Sequence, residues 1–265
     1  MPFPKTKGPP NGRCNICGEF GPLTEDHVPP KGTLRFPRMQ LYRMADALSV
    51  KRSERGQPRN FQRGVKFRTT CKGCNRDVLG RLYDPELVRF SNEIASYLSS
   101  RFSLPSVASF QAKPGHIARA VLGHILAIGV ERFPRGEMGD AAAEYVLDPS
   151  GAIPSKLGIY YWPYPFWDQV AVRGCGWVES FGAPPLVLSL LKFMPLAYMV
   201  TWDIPPSFHV PHRNLADLIS GSRDKVTQIP VNFTEVPPQR YPEAPDDDGM
   251  VLHGQDSFFA DWQRP

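Results

Sequence analysis

The 265-residue sequence lacks an apolar leader and an uninterrupted membrane-spanning run. Its first five residues, MPFPK, contain two prolines and a lysine where a secretory signal would be apolar. An apolar stretch at residues 183–200 is interrupted by Lys192 and three prolines, which disfavours a transmembrane helix. We therefore expect a cytoplasmic protein without a membrane partner, and two buried strands, about 186–193 and 196–203, that meet at Pro195.

The sequence has few cysteines, no evident internal repeat and little to support long regular elements. Five cysteines in a chain of this length do not make a disulfide scaffold, and 29 prolines are about twice ordinary usage. Because proline ends helices and interrupts strands, it predicts short elements and many turns, and excludes coiled coils and pure helix bundles. Hydrophobic residues at 42% and charged residues at 22% are close to globular averages, so we expect most of the chain to fold. The elements and motifs described below predict the α+β class.

Acidic residues are scarce in the first third of the chain. Residues 1–81 contain 17 Lys and Arg against 6 Asp and Glu, whereas the remaining residues contain 14 against 20. The two parts therefore carry net charges of +11 and −6. The basic third is expected to face a polyanion such as nucleic acid, and a merely solvated basic region is the alternative.

Four of the five cysteines form two pairs with the same spacing, Cys14-x-x-Cys17 and Cys71-x-x-Cys74. Two intervening residues let a tight turn direct both sulfurs at one ion, and two such pairs supply the four thiolates of a structural Zn²⁺ site. Disulfides, which a reducing cytosol disfavours, and a thiol redox motif are the alternatives. Cys175 stands alone and is expected to be a small buried residue rather than a nucleophile.

The segment between the cysteine pairs contains two strand-like runs. The first, residues 22–30, carries Asp26 and His27 and is ended by two prolines. The second, residues 64–70, alternates apolar and polar side chains and leads directly into the second cysteine pair. After that pair, apolar residues recur at helical spacing. The order is strand, long loop, strand, cysteine pair and helix, which one zinc ion would clamp together.

These residues resemble the four-cysteine branch of the HNH endonucleases, the ββα-metal nuclease superfamily. The resemblance covers about residues 12–84, and it rests on four motifs: Cys14-x-x-Cys17-Gly18, Asp26-His27 before two prolines, the strand-like run 64–70, and Cys71-x-x-Cys74-Asn75. It implies that residues 1–84 fold as a zinc-stapled ββα-metal module.

The resemblance also implies a mechanism. His27 would be the general base, because a neutral imidazole can take a proton from water at physiological pH. Asp26 and Asn75 would hold one divalent ion, Mg²⁺ or another metal that accepts oxygen ligands, and Asp77 is an alternative to Asn75. The products would carry 5′-phosphate ends.

Two of these residues also have ordinary structural explanations. His27 can be a histidine packed in a zinc-ribbon core or bonded to a backbone carbonyl. Asn75 can be a helix cap, which is the commoner use of asparagine at the start of a helix.

The loop of residues 31–63 departs from the family pattern by its length. Residues 39–48 predict an inserted helix, and Asn60 is the candidate for the asparagine that braces this loop in many family members. The loop also contains basic residues that we expect to contact nucleic-acid phosphates, with a solvated loop as the alternative. They are Lys51, Arg52, Arg55, Arg59 and Arg63.

Beyond the module, residues 85–236 predict an accessory domain that is helical first and strand-rich later. Helices are expected at about 84–102 and 115–131, and His124 in the second should be packed or hydrogen-bonded rather than a metal ligand. Residues 158–172 should form two strands interrupted by prolines.

Residues 237–265 predict a Pro- and Asp-rich tail that packs weakly. Phe258, Phe259 and Trp262 are the residues expected to anchor its end.

The sequence thus predicts an HNH-type endonuclease that hydrolyses phosphodiester bonds of nucleic acid, with DNA as the expected substrate. Two other classes stay open. One is a zinc-ribbon module that binds nucleic acid without cutting it. The other is a zinc-stapled scaffold that contacts a protein or associates with itself through residues 85–236.

Overall fold

The computed structural model describes residues 5–33, 38–48, 57–100, 105–133, 135–178, 184–244, 250–254 and 257–262. Within these ranges the protein is a mixed α/β structure with antiparallel sheets. The predicted nucleic-acid contacts Lys51, Arg52 and Arg55 lie outside the described residues.

The strands follow one another along the whole chain. They are β1 (Asn11–Arg13), β2 (Phe20–His27), β3 (Arg38–Arg43), β4 (Arg59–Gln62), β5 (Lys66–Cys71), β6 (Val107–Ala112), β7 (Leu157–Pro163), β8 (Gln169–Val178), β9 (Leu186–Phe193), β10 (Leu196–Trp202), β11 (Arg213–Asn214), β12 (Thr227–Asn232), β13 (Met250–Leu252) and β14 (Phe258–Trp262). The helices are α1 (Met44–Leu48), a π helix (Gly73–Tyr83), α2 (Asp84–Leu98), α3 (Pro114–Ala127), α4 (Gly136–Leu147) and a short 3₁₀ helix (Leu215–Leu218).

The N-terminal unit is a three-stranded sheet, in the order β1-β2-β5, followed by a helix. β2 pairs antiparallel with β5, and a register shift between Thr24 and Glu25 bends β2 just before Asp26. The chain then passes from β5 into the π helix, which continues into α2. The predicted strand and the helix after the second cysteine pair are confirmed, although this helix has the wider π hydrogen-bonding pattern.

The long loop contains a strand where the sequence predicted an inserted helix over residues 39–48. That prediction is wrong for the first half, because the chain forms β3 before the short helix α1. Met39 and Leu41 are buried and alternate with more exposed neighbours, as a strand requires. β3 pairs with β14, and this distant partner overrides the local helical preference.

The two predicted helices of the accessory region are confirmed as α2 and α3. α2 begins at Asp84 with Pro85 in its first turn, where proline is compatible with a helix. Every residue of α3 is buried, because the helix packs against the π helix, α2, α4 and the sheets on both sides. Its fit to the π helix is close, since a Cβ atom added at Gly123 would lie 2.3 Å from Leu79 Cδ2.

The largest sheet has nine strands, in the order β11-β7-β10-β9-β8-β14-β3-β4, with β13 also paired to β8. The predicted hairpin around Pro195 is confirmed as β9 and β10, and the predicted strand pair in residues 158–172 as β7 and the start of β8. This sheet joins elements from all three predicted segments of the chain. β3 and β4 belong to residues 1–84, and β14 belongs to residues 237–265.

The C-terminal segment packs more tightly than the sequence predicted. Phe258 and Phe259 are 0% and 6% exposed, so the expectation that they anchor the tail is confirmed. Weak packing is the wrong description of β14, which hydrogen-bonds to β8 and β3.

Lys192, which interrupts the apolar stretch of residues 183–200, forms a buried ion pair. It lies inside β9 with its side chain 0% exposed, and its Nζ atom is 2.6 Å from Oε1 of the equally buried Glu243. Nζ also donates hydrogen bonds to the carbonyl oxygens of Gln239 and Tyr241. Among the described helices, none is long and apolar enough to cross a membrane.

Candidate functional site

The four paired cysteines converge at one end of the N-terminal unit. The first pair lies in the turn between β1 and β2, Cys71 is the last residue of β5, and Cys74 lies in the first turn of the π helix. All four sulfur atoms lie within 4.8 Å of one another, and Sγ of Cys17 is 3.8 Å from Sγ of Cys71. A tetrahedral zinc ion with Zn–S bonds of about 2.3 Å places its sulfur ligands about 3.8 Å apart. The cluster can therefore hold a metal ion such as zinc.

Backbone groups around the cluster favour thiolate sulfur. The N–H groups of Ile16 and Cys71 point at Sγ of Cys14, with N···S distances of 3.4 and 3.3 Å. A hydrogen bond from Cys74 lowers the pKa of Cys14 to about 4, whereas burial, with the charge of Cys14, raises the pKa of Cys17 to about 11. Four sulfurs this close cannot all ionise without a cation, so the geometry supports a metal site rather than four separate thiols.

Disulfides are not formed, since all five cysteines are free. Cys175 is 5% exposed in β8, and burial raises its pKa to about 12. A thiol in this state is a poor nucleophile, as the sequence predicted.

A cavity of about 490 Å³ is lined by Asn75, the residue that follows Cys74 of the four-cysteine cluster, and we call it the His27 cavity. His27, Asp26 and Asn75 all line it, so the structure brings together the three residues that the resemblance singled out. His27 ends β2 and is partly exposed. Burial lowers its pKa below 6.5, and the nearby charges of Lys66 and Lys31 lower it further. The imidazole is therefore neutral at physiological pH and able to accept a proton.

Asp26 precedes His27 in β2 and is the more deeply buried of the two residues in the cavity lining. Its side chain is buried, and burial raises its pKa to about 6. Its Oδ2 atom has no hydrogen-bond partner and lies 3.6 Å from Nδ1 of His124 in α3. On the other side of the ring, Nε2 of His124 lies 2.9 Å from Oδ1 of Asp84.

This arrangement leaves His124 completely buried between two carboxylates. Burial alone would lower the pKa of His124, but the charges of Asp84 and Asp26 outweigh it and raise the pKa to about 9. The expectation that His124 is packed and hydrogen-bonded is confirmed. Its contact with Asp26 was not predicted, and neither was the presence of Asp84 in the cavity lining. Asp84 was interpreted only as the start of α2.

Asn75 connects the π helix to β2. Its Nδ2 atom donates hydrogen bonds to Oγ1 of Thr24, at 2.9 Å, and to the carbonyl oxygen of Glu25, at 3.0 Å. These two residues flank the register shift in β2, so Asn75 fixes the bend that precedes Asp26. This use of the amide nitrogen leaves Oδ1 as the atom available to a metal ion.

The remaining predicted site residues that the structure describes do not line the His27 cavity. Asp77 forms an exposed ion pair with Arg81, with 3.3 Å between Oδ1 and Nη1. Arg59 and Asn60 in β4 line a second cavity next to the first, and Arg63 forms the turn between β4 and β5 with a φ of 63°. Asn60 does not line the His27 cavity, and no contact by which it would brace the loop there is found among the described residues. Its Oδ1 atom accepts a hydrogen bond from Nε2 of Gln40 at 3.5 Å.

The donor atoms of the His27 cavity suit a divalent cation that prefers oxygen. Asp26 and Asp84 offer carboxylates, Asn75 offers an amide oxygen, and Oδ2 of Asp26 is buried without a hydrogen bond. Within the described ranges, only the cysteine cluster brings three or more His, Cys, Asp or Glu ligand atoms together at metal-binding distance.

Comparison of this chain with family models, curated proteins and solved structures gives no match, so the likeness to HNH endonucleases rests on its own residues and geometry.

Proposed function

We propose that the protein is a metal-dependent HNH-type endonuclease that hydrolyses phosphodiester bonds of nucleic acid, with DNA as the substrate. The observation that carries this proposal is the shared cavity: a partly exposed His27, a carboxylate from Asp26 and the amide of Asn75 meet beside the four-cysteine cluster. The order of these residues along β2, β5 and the following helix is the order of the motifs on which the resemblance to HNH endonucleases rests.

His27 is the general base of the proposed reaction. Its neutral imidazole removes a proton from a water molecule, which attacks the phosphorus in line with the departing 3′-oxygen. The P–O3′ bond breaks, the 3′-oxygen takes up a proton, and the other product keeps a 5′-phosphate. Asp26 and Asn75 would hold the divalent ion, which supplies positive charge to the non-bridging oxygens and to the leaving oxygen.

Basic side chains surround the proposed base and would attract the substrate. Lys31, Arg76 and Arg81 line the His27 cavity, and Lys66 lies opposite His27 across the β2–β5 pair. Their charge favours a bound phosphate, and the charges of Lys66 and Lys31 add to the burial that lowers the pKa of His27.

Two contacts favour a second function, a zinc module that binds nucleic acid without cutting it. Asp26 is bound into the core through His124, and the amide nitrogen of Asn75 is used by β2. Both contacts are typical of side chains that stabilise the fold and take no part in catalysis.

Nicking of supercoiled plasmid separates the two functions. The full chain is incubated with Mg²⁺ or Mn²⁺, and with EDTA as the metal-free reference. His27→Ala should lower the nicking rate by about 10²–10⁴-fold, the usual contribution of a general base. His209→Ala, a change of an exposed histidine, is the matched control and should leave the rate unchanged. Nicking that is absent with both ions, or equal in the His27 variant and its control, would leave the binding module as the better description.

A further inference from the structure

A second cavity, of about 600 Å³, adjoins the His27 cavity, and its walls are strongly basic. We call it the basic groove. It is lined by Lys5 and Lys7 from the N-terminal segment, Arg59 from β4 and Lys66 from β5, with Glu25 as its acidic member. Of these basic residues, only Arg59 belongs to the loop in which the sequence predicted nucleic-acid contacts.

The N-terminal segment is fixed on the sheet and is part of the groove wall. Lys7 forms a parallel bridge with Arg68, and the backbone N–H of Arg68 donates to the carbonyl oxygen of Thr6 at 2.9 Å. Gly8 allows this close approach, because a Cβ atom there would lie 2.2 Å from the carbonyl oxygen of Arg68. Thr6 is buried, so the alternation of an extended chain places the exposed Lys5 and Lys7 on the same face.

The basic groove and the His27 cavity share a wall. Glu25 lines both cavities, and Lys66 of the groove is the cross-strand partner of His27. The turn between β4 and β5 also connects them, since a Cβ atom added at Gly64 would lie 3.8 Å from Cδ2 of His27. A strand lying in the groove would therefore lead directly to the proposed base.

Three lysines of the groove have no acidic partner among the described residues. Within the described part of the chain, Lys5, Lys7 and Lys66 form no ion pair with an acidic side chain. Glu25 is itself held by Arg68, with 3.6 Å between Oε1 and Nη2. Clustered lysines without acidic partners are suited to phosphates, which release counterions when they bind.

The geometry points to the basic groove as the site where the phosphate backbone of a nucleic-acid strand binds next to the bond that is cut, with Lys5 and Lys7 as two of its phosphate contacts. This inference deepens the proposed function and rests on it for the cutting step alone, because binding in the groove needs neither His27 nor a divalent ion.

Fluorescence anisotropy in EDTA tests the groove without cleavage. A labelled oligonucleotide, once single-stranded and once duplex, is titrated with the full chain at several salt concentrations. Loss of two phosphate contacts in Lys5→Gln/Lys7→Gln should reduce the slope of log K against log salt by about 1.8 for duplex DNA or about 1.4 for a single strand. The control Lys156→Gln/Lys225→Gln removes the same charge from exposed positions outside the groove and should keep the wild-type slope.

The possible outcomes separate the groove from the nuclease. A slope that falls only in the Lys5/Lys7 variant supports the groove, and the nucleic acid that shows the larger change is its ligand. Equal slopes in both double variants, or no binding by the wild-type chain, overturn it. If the groove binds as expected but plasmid nicking is independent of His27, the nuclease proposal fails and the groove remains.

Discussion

The Nε2 atom of His124 lies 2.9 Å from Oδ1 of Asp84, and this contact ties α3 to the first turn of α2 beneath the His27 cavity. The other ring nitrogen faces Asp26 at 3.6 Å. Two carboxylates that line the candidate site are therefore held from behind by a helix that lies outside residues 1–84. The N-terminal unit contacts this helix through Asp26.

His124→Ala should destabilise the whole fold. The change leaves Asp26 and Asp84 in a poorly hydrated site without their cationic partner, and breaking a buried pair in this way costs about 3–5 kcal/mol. Urea unfolding followed by circular dichroism measures the loss. His209→Ala is the exposed control and should change stability little; an equally small effect of His124→Ala would show that the pair contributes nothing.

The same contact predicts a pH dependence. The pKa of His124 is raised to about 9 from an ordinary 6.5, so its stabilising contribution is complete below pH 6.5 and disappears as the pH rises through about 9. The raised pKa of Asp26, about 6, acts in the same direction at lower pH. The difference in unfolding free energy between wild type and His124→Ala should shrink by roughly 3 kcal/mol between pH 6 and pH 10. A difference that stays constant over this range would contradict the assigned charge of His124.

Zinc should be bound once per chain and only through the paired cysteines. Cys14→Ser should abolish or strongly weaken binding, since three thiolates cannot complete the tetrahedral site. Cys175→Ser changes a buried, unreactive thiol and should leave the zinc content of the purified protein unchanged. Elemental analysis gives the zinc content, and thermal melting with a chelator should show destabilisation in wild type. Full zinc in the Cys14 variant would rule out the cluster as the binding site.

Nuclease activity should rise with pH and then level off. The burial of His27 and the charges of Lys66 and Lys31 lower its pKa, so the base is protonated only in acid and activity is lost as the pH falls through a pKa below 6.5. Removing one of these charges with Lys66→Gln should move the acid limb of the profile to higher pH. The rate of plasmid nicking between pH 5 and pH 9 measures both curves, and superimposable profiles would argue against His27 as the titrating group.

The buried pair of Lys192 and Glu243 should behave differently from a surface ion pair. Lys192→Met strands Glu243 in the core at a cost of about 3–5 kcal/mol, whereas Lys192→Met combined with Glu243→Leu should recover part of that loss. Lys156→Met is the matched control, because its pair with Asp203 is exposed and its loss should matter little. Urea unfolding of these proteins and of Glu243→Leu completes the comparison; a loss in the double variant equal to the sum of the two single losses would contradict coupling between the two charges.

Local patterns were enough to predict several elements. α3 and the β9–β10 hairpin at Pro195 follow from helical spacing and from a proline that ends a strand. The four cysteines were also predictable, because two equal spacings restrict the geometry strongly. β3 was not, since what decides between strand and helix there is β14, at the far end of the chain.

The part of the candidate site that was missed is the part that depends on tertiary packing. The residues around Asp84 are typical of the start of a helix. Nothing near Asp84 in the sequence predicts its contact with His124, which lies 40 residues further along the chain. The alternation of Met39 and Leu41 was an available signal for a strand and was outweighed by the helical character of the residues that follow. The basic groove could not be predicted from the sequence for the same reason. Lys5 and Lys7 lie near Lys66 because the N-terminal segment pairs with β5.

The place of β14 between β8 and β3 has a consequence for biosynthesis. A ribosome releases β3 and β4 early, but their partner in the sheet emerges only when residues 258–262 have been translated. Until then the hairpin has an open edge, and the wall that carries Arg59 is unsupported. A nascent polypeptide therefore cannot complete the sheet that carries this wall of the basic groove until translation has passed β14.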